Sequence, residues 1–427
     1  MIGILLFAAA FVLLMLGYPV AFTFAAVAIA FAVLTGQVEL FAMLPERIYA
    51  LMTNFTLMAV PLFIFMGMVL QRSGLAETLL ETIGMLFGRL RGGIAIGTIL
   101  VGSILAASTG IVGATVVAMS LIALPVMLKY GYNRRFAAGV ICAAGTLGQI
   151  IPPSIVLIVL GEVLQVPVGD LFRAAFMPGI ALALLYVVWT IAVGLLRPQW
   201  LPPLPLEHQP SWQRIVWAVA PPVFLIVLVL GSIFAGIATP TESAAVGAIG
   251  SVGLSLLHRR FSWQLLWEAA RETARISAMV FTILIGATAF SMAFSYAGGE
   301  QAVYDFFERL PGGPAGMLVV AMLLIFFLGF FLDFVEISYI VVPIIAPVLV
   351  RAGFDPLWLG VVIAMNLQTS FLTPPFGFSL FYLKGAAPSM ETLDIYRGVI
   401  PFISLQVLMV CALVLAPELF GLQRMLR

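Results

Sequence analysis

One stretch of hydrophobic sequence occurs twice in this chain, and each copy carries a proline pair at the same place. Residues 125–153 align without a gap with residues 347–375, which lie 222 positions later, and 7 of the 29 aligned positions are identical. The pairs are Pro152-Pro153 and Pro374-Pro375. Proline lacks a backbone N–H and cannot continue a helix, so each copy predicts a helix broken within an apolar span. Matched interruptions in two halves of a hydrophobic chain indicate a binding site between internal repeats.

The composition places this repeat in a membrane. Of 427 residues, 63% are hydrophobic and 9% are charged, and the mean hydropathy is +1.17. A soluble fold would expose large apolar patches with this composition, whereas runs long enough to cross ~30 Å of hydrocarbon recur throughout. We predict an all-α polytopic membrane protein in a lipid bilayer. The net charge of +1 argues against a nucleic-acid partner, which requires a clustered basic surface.

The apolar segments divide the chain into two similar halves. The predicted crossings are 1–17, 18–36, 55–71, 135–165, 172–196, 214–238, 240–258, 276–297, 357–386 and 397–421. Two further runs, 92–128 and 314–350, are interrupted at 107–110 and 333–336. Polar breaks at membrane depth favour re-entrant hairpins, because irregular backbone survives there only when protein shields it. The expected domains are a first repeat at 1–196, a Pro-rich cytoplasmic connector at 197–213 and a second repeat at 214–427, with broken helices at 135–165 and 357–386.

Five crossings and one hairpin in each half would turn the second repeat upside down relative to the first. With the N-terminus outside, 14 of the 20 Lys and Arg residues fall on the inner side and 6 on the outer side. The positive-inside rule therefore favours N- and C-termini that both lie outside. Residues 2–16 are expected to be a retained membrane helix, not a signal peptide. Segments 72–91 and 259–275 are predicted to be interfacial amphipathic helices.

No enzyme motif is present, and no phosphate-binding loop indicates nucleotide use. The two histidines, His208 and His258, fall in the connector and at a helix end. The chain is therefore predicted not to be an enzyme. Any uphill transport would draw on an ion gradient or on a separate ATPase.

The helix breaks are the candidate site. The last carbonyls of a helix that stops can hold a cation, and the first N–H groups of one that restarts suit an anion. Oxygen-only ligands suit an alkali cation such as Na⁺, not a transition metal, and no other cofactor is expected. The sodium-binding candidates are Ser108, Thr109, Gly110, Gly145, Thr146, Gly148, Asp333, Asn366, Thr369, Ser370 and Thr373. The substrate-binding candidates are Thr109, Gly110, Pro152, Ser154, Glu336, Pro374 and Gly377.

Each candidate has a structural alternative. Ser and Thr hydroxyls in membrane helices often bond to a carbonyl of their own helix, and a proline pair can be a simple kink. Asp333 is the strongest candidate, because a carboxylate within an apolar run costs ~2.5–3.5 kcal/mol or more and rarely stands without a partner. Glu242 is expected to cap the helix that follows residue 239.

These residues resemble the large membrane subunit of tripartite ATP-independent periplasmic (TRAP) transporters. The matching motifs are GTLGQIIPPS at 145–154, VGDLF at 168–172, PG at 178–179, ATPTESAAVG at 238–247, LD at 332–333, NL at 366–367 and LTPPFG at 372–377. The resemblance implies an elevator-type sodium symporter of the bacterial inner membrane. It also implies a separate small four-helix membrane subunit, a periplasmic substrate-binding protein and, usually, an organic acid as substrate. Residues 108–113 and 368–370 depart from the family pattern.

Three other functions remain open from the sequence. A sodium–carboxylate symporter of similar architecture would need no binding protein. A passive channel would lack coupling to an ion gradient. A membrane-embedded hydrolase has almost no support among the residues.

Overall fold

The computed structural model describes residues 2–204 and 211–425, and it leaves the side chains of residues 107–109 undescribed. The described part is helical, with one isolated β-bridge between Phe354 and Met425. The first half contains α1 (Ile2–Met15), α2 (Val20–Leu34), α3 (Leu44–Met52), α4 (Ala59–Arg72), α5 (Leu75–Phe87), α6 (Gly93–Thr109), α7 (Val112–Lys129), α8 (Arg134–Thr146), α9 (Ile155–Val163) and α10 (Val168–Leu196). The second half contains α11 (Trp212–Phe234), α12 (Pro240–Leu257), α13 (Trp263–Tyr296), α14 (Gly299–Glu308), α15 (Gly313–Leu328), α16 (Phe334–Glu336), α17 (Val342–Arg351), α18 (Pro356–Leu372), α19 (Phe378–Ala386) and α20 (Thr392–Leu415).

The helices confirm an all-α membrane protein. Within the described ranges, six helical segments are long and apolar enough to cross a bilayer. Five shorter apolar helices accompany them. The six are α7, α10, α11, α13, α20 and the continuous segment Phe334–Arg351, in which a π-helical turn (Ile337–Val341) joins α16 to α17. The breaks at the two proline pairs separate α8 from α9 and α18 from α19, and each of these four helices is shorter than 18 residues.

One predicted boundary is wrong. The amphipathic segment 259–275 and the crossing 276–297 were expected to be separate helices, but they form the single 34-residue helix α13. The reason is local, since the helix contains no glycine before Gly286 and no proline at all. By contrast, the other amphipathic segment, 72–91, contains α5 as a helix of its own, bent by 62° from α4.

The two halves repeat each other in helix position and in packing. Helices α7 and α16 begin 222 residues apart (334 − 112), as do α8 and α18 (356 − 134). Helix α8 packs on α20, and its repeat equivalent α18 packs on α10; α4 packs on α12, and α13 packs on α2. Reciprocal contacts of this kind are what a two-fold relation between the halves produces.

The contact between α8 and α20 is the closest of these approaches. A Cβ atom added at Gly139 would lie 2.1 Å from the Gly398 carbonyl oxygen, and one added at Gly398 would lie 2.0 Å from the Arg135 carbonyl oxygen. Only glycine lets two helix backbones meet at this distance. Arg135 Nε also forms an ion pair with Asp394 at 2.9 Å, near the end of the same contact.

Helix α12 begins with the cap that the sequence predicts. The Thr239 hydroxyl accepts from the Glu242 N–H at 3.3 Å, and Glu242 Oε2 accepts from the Thr239 N–H at 2.8 Å. Two orphan donors of the helix N-terminus are thereby satisfied. The role of Glu242 as a capping residue is confirmed.

Candidate functional site

The first part of the first broken helix ends within the break that the sequence predicts at 145–148. Helix α8 ends at Thr146, and Gly148 lies in the short 3-10 helix that follows. The Ile151 N–H still bonds to the Leu147 carbonyl at 2.9 Å. The interruption follows at residues 152–154, because Pro152 is the first residue that has no N–H to donate. The peptide bond between the two prolines is cis.

Ser154 caps the helix that restarts. Its hydroxyl donates to the Gln149 carbonyl at 2.7 Å and accepts from the Leu157 N–H at 3.4 Å. The side chain is fully buried. Ser154 therefore ties the two ends of the break together, and its N-cap role is a structural alternative to substrate binding.

The second broken helix continues further than the sequence predicts. Asn366, Thr369 and Ser370 were predicted at the break, but they lie inside α18, which continues to Leu372. The break spans residues 373–377. Its proline pair is also joined by a cis peptide bond. The N–H of Gly377 donates to the Thr373 carbonyl at 3.0 Å, so the chain folds tightly around Pro374 before α19 begins.

The hydroxyl groups near this break bond to their own helix. The hydroxyls of Thr369, Ser370 and Thr373 donate to carbonyls three or four residues earlier, at 2.9, 2.8 and 2.7 Å. The structural alternative for Ser and Thr, a hydroxyl that bonds to a carbonyl of its own helix, is therefore what the structure shows. A donating hydroxyl still has two lone pairs, so these oxygens keep the capacity to bind a cation.

Two further breaks, between α6 and α7 and between α15 and α16, each lie against the broken helix of their own half. Gly110, with φ of +61°, separates α6 from α7, and a Cβ atom there would lie 3.2 Å from the Ile155 nitrogen at the start of α9. A Cβ atom at Gly329, just after α15, would lie 2.8 Å from Ser370 Cβ in α18. Asn366 Nδ2 donates to the Met322 carbonyl of α15 at 2.8 Å. The side chains of Ser108 and Thr109 lie outside the described residues.

The candidate glycines of the first half are packing positions. A Cβ atom at Gly145 would lie 2.3 Å from Val116 Cγ2 in α7, and one at Gly148 would lie 2.9 Å from the Ala106 carbonyl oxygen in α6. These glycines bring the end of α8 against both helices that flank Gly110. Their backbone atoms thereby lie beside the first break.

Asp333 and Glu336 form a capping box at the start of α16. Asp333 Oδ1 accepts from the Phe334 N–H at 2.7 Å, and Glu336 Oε2 accepts from the Asp333 N–H at 2.9 Å. The spacing Asp-x-x-Glu is the sequence signal for this arrangement, and it was missed. The two carboxylates are therefore structural as well as candidate ligands.

Neither carboxyl group forms an ion pair within the described part of the chain. The four ion pairs found there all involve other residues. Glu336 is only 7% exposed and accepts from the N–H of the half-buried Asp333. An ionised carboxylate in such a place is costly without a positive partner. The geometry therefore suits a cation bound beside Asp333.

Two side chains join the halves near the breaks. Tyr382 of α19 packs on α7, because its ring carbon Cζ lies 2.8 Å from where a Cβ atom of Gly113 would stand. Gln368 Nε2 of α18 donates to the Thr146 hydroxyl of α8 at 3.5 Å. The two breaks thus belong to one region of the molecule.

Known proteins match this chain over most of its length. The model of the family described as tripartite ATP-independent periplasmic transporter, DctM component, matches residues 7–419. The C4-dicarboxylate TRAP transporter large permease protein DctM of Pseudomonas aeruginosa is 30% identical over 362 residues, which are 84% of this chain and 83% of that protein. The ectoine TRAP transporter large permease protein TeaC of Halomonas elongata is 29% identical over 412 residues, 95% of each chain.

Among solved structures, the YdaH transporter of Alcanivorax borkumensis has a similar fold. The TM-score is 0.64 at 14% sequence identity, and the match covers 91% of this chain and 90% of that one. At this identity the likeness concerns the fold alone.

Proposed function

Because this chain belongs to the DctM component family of tripartite ATP-independent periplasmic (TRAP) transporters, we propose that it is the large permease subunit of a sodium-coupled importer of an organic acid. Members of this family are transporter permeases, not enzymes. The relatives differ in what their names say they transport, a C4-dicarboxylate in one case and ectoine in another.

The observation that carries sodium coupling is that two carboxyl groups at the start of α16, inside an apolar chain, have no ion-pair partner among the described residues. A sodium ion beside Asp333 would stabilise its ionised form. The oxygens of Thr369, Ser370 and Thr373 belong to α18 and its C-cap, and α18 packs on α15, which ends shortly before Asp333. A second ion would sit at the equivalent place in the first half, beside Gly110 and the end of α8. Both places offer oxygen ligands only, as a hard alkali cation requires.

The substrate would bind where the broken helices restart. The N–H groups at the start of α9 and α19 carry partial positive charge and suit a carboxylate. No lysine or arginine forms an ion pair with Asp333 or Glu336 among the described residues. An anionic substrate that binds beside these two carboxyl groups would depend on the bound sodium to offset their repulsion, and this dependence would couple substrate binding to sodium binding.

We propose an elevator mechanism with inverted halves. One rigid body would contain both broken helices, α10, α20 and the two breaks at Gly110 and at 329–333. Helices α2, α4, α12 and α13, which pack on one another in reciprocal pairs, would form the scaffold. The helix pairs α6–α7 and α15–α17 would be re-entrant hairpins. Rigid sliding of the first group past the second would expose the site to each side in turn.

The proposed partners are a small four-helix membrane subunit and a periplasmic binding protein that delivers the substrate. The subunit would lie in the bacterial inner membrane with both termini on the periplasmic side, as the 14 to 6 distribution of Lys and Arg favours. Residues 197–213 would then connect the two repeats on the cytoplasmic side.

Transport by purified components tests this function. We expect proteoliposomes with both membrane subunits to accumulate radiolabelled succinate or ectoine, the two probe substrates, against a gradient only with an inward sodium gradient and the binding protein. Replacing sodium by potassium is the matched control. Equal uptake in potassium would contradict sodium coupling. Accumulation without the binding protein would indicate an independent symporter, and equilibration without accumulation would indicate a channel.

A further inference from the structure

A basic cavity of about 370 Å³ lies where the starts of α8 and α20 meet the end of α10. Three arginines line it, Arg135 from α8, Arg197 at the end of α10 and Arg397 from α20. Two tryptophans, Trp189 and Trp200, line it as well. In the orientation proposed above, this end of the three helices lies at the cytoplasmic surface of the membrane.

The positive charge of the cavity exceeds the negative charge around it. Arg135 Nε pairs with Asp394 at 2.9 Å, but neither Arg197 nor Arg397 forms an ion pair among the described residues. Three guanidinium groups and one carboxylate leave a net charge of +2 (3 − 1). A guanidinium group presents its N–H donors in a planar fork that matches the oxygens of a phosphate. The cavity therefore suits an anion with several oxygens.

The chain after α10 is held in place beside the other two arginines. The N–H of Asn133, the N-cap residue of α8, donates to the Trp200 carbonyl at 2.9 Å. The Arg197 guanidinium lies over the Trp200 ring, 4.4 Å from its centroid. Stacking uses the face of the guanidinium and leaves the N–H groups at its edge available. Arg197 is thus positioned by the fold to donate into the cavity.

The lining changes from charged to apolar along the helices, in the direction of the bilayer centre. Arg197 is the C-cap residue of α10, and Val193 and Trp189 lie four and eight residues deeper (197 − 193 and 197 − 189). At 1.5 Å per residue, the cavity extends about 12 Å along α10. On α20, Pro401 lies one turn deeper than Arg397. This order of a cationic end and an apolar end matches a phospholipid, whereas a free phosphate would use the cationic end alone.

The apolar end of the cavity adjoins surfaces that face lipid. Helices α10 and α20 are both long and apolar enough to cross a bilayer. Val188 and Ile191, which flank Trp189 on α10, are exposed, and so is Ile400, which precedes Pro401 on α20. Exposed apolar side chains on membrane-spanning helices face hydrocarbon. Acyl chains can therefore lie along these helices while the head group occupies the cavity.

We propose that this cavity binds an anionic phospholipid of the cytoplasmic leaflet. Its phosphate oxygens accept from Arg135, Arg197 and Arg397, and its acyl chains run along Trp189 and Pro401. Basic pockets between transmembrane helices on the cytoplasmic side are suited to cardiolipin, and the net charge of +2 matches the two phosphates of that lipid. Arg135 lies 11 residues before Thr146 at the end of α8 (146 − 135), about 16 Å away. The lipid site is therefore separate from the ion and substrate candidates and depends on neither.

Native mass spectrometry of the delipidated full chain with added lipid tests this site. We expect cardiolipin to bind at least about tenfold more tightly than the zwitterionic phosphatidylethanolamine. Arg197→Gln combined with Arg397→Gln is expected to lower the affinity for cardiolipin at least about tenfold, because both cations that lack an ion pair are lost. Arg134→Gln is the matched control, since Arg134 precedes Arg135 on α8 but does not line the cavity. An unchanged affinity in the double variant, or an equal loss in the control, would overturn the proposal.

Inorganic phosphate distinguishes a lipid site from a site for a soluble anion. We expect cardiolipin to raise the unfolding midpoint of the delipidated chain and inorganic phosphate to leave it unchanged, because a free phosphate gains nothing from the apolar end of the cavity. A midpoint that phosphate raises in the wild type but not in the double variant would contradict a lipid ligand.

Photocrosslinking locates the acyl chains in the wild-type protein. Cardiolipin that carries a diazirine on an acyl chain is expected to label the peptides of α10 and α20 that contain Trp189 and Pro401. Labelling that leaves both peptides unmodified would overturn the proposal. Because this experiment needs no variant, it decides the matter even if the double variant fails to fold.

Discussion

Asp333→Asn is expected to lower sodium-driven uptake more than about tenfold, since losing as little as 1.4 kcal/mol of ion binding is a factor of ten. The substitution separates the two roles of this residue. Asparagine caps a helix as well as aspartate does, so the bond from the Phe334 N–H to the side chain can be kept. The negative charge of the carboxylate, which we propose binds sodium, is lost. The fold is therefore expected to survive while ion binding fails.

The measurement is initial uptake rate against sodium concentration in proteoliposomes, together with the unfolding midpoint of the purified variant. Asp305→Asn is the matched control, because Asp305 is on α14 and its carboxylate bonds to the exposed Gln301 at 2.8 Å. This control is expected to behave as the wild type. Wild-type uptake by Asp333→Asn at every sodium concentration would remove Asp333 from the ion site.

Gly139→Leu is expected to prevent stable folding. At this position even the Cβ atom would lie 2.1 Å from the Gly398 carbonyl oxygen. No rotamer relieves a clash at Cβ, so α8 and α20 would have to separate. Overpacking a core costs ~1–3 kcal/mol of folding free energy and occasionally more. Because Gly139→Leu forces two helix backbones apart, its cost is expected at or above the upper end of this range. The yield of monodisperse protein and the unfolding midpoint should both fall strongly.

Gly253→Leu provides the comparison within the same chain. Gly253 lies within the last turns of helix α12, and beyond the local backbone of α12 no described atom lies within 4 Å of the place where its Cβ would stand. Its substitution by leucine is therefore expected to leave yield and midpoint close to those of the wild type. Equal tolerance of Gly139→Leu and Gly253→Leu would show that α8 and α20 do not meet through their backbones.

Much of the helical architecture could be predicted because its causes are local. Apolar runs and prolines mark helices and their ends, and the repeat of 222 residues reappears in the first residues of α7 and α16. The interruption of two helices near Pro152 and Pro374 is confirmed for the same reason. The cap at Thr239 and Glu242 is also confirmed, since a capping box is a pattern of four adjacent residues.

The positions of the breaks were harder to predict. Polar residues at 366–370 suggest an irregular backbone, yet α18 continues to Leu372, and Asn366 serves to hold it against the Met322 carbonyl of α15. That role depends on neighbours far away in the sequence. The same holds for Gln406, which lies in an ordinary helical stretch and donates to the Thr146 hydroxyl at 3.3 Å only because α20 packs on α8. The capping box of Asp333 and Glu336 is also a local pattern, although the sequence analysis interprets Asp333 as a sodium ligand and Glu336 as a substrate ligand.

The sidedness of two equivalent positions tests the inverted repeat most directly. Lys129 and Arg351 are 222 residues apart (351 − 129), and both are exposed at the ends of α7 and α17. Each would be changed to cysteine in a background that lacks Cys142 and Cys411, and labelled with a membrane-impermeant maleimide in intact and in permeabilised cells. We predict that Arg351→Cys reacts from outside and that Lys129→Cys reacts only after permeabilisation. Labelling of both cysteines from the same side would contradict the inverted arrangement and the transport mechanism built on it.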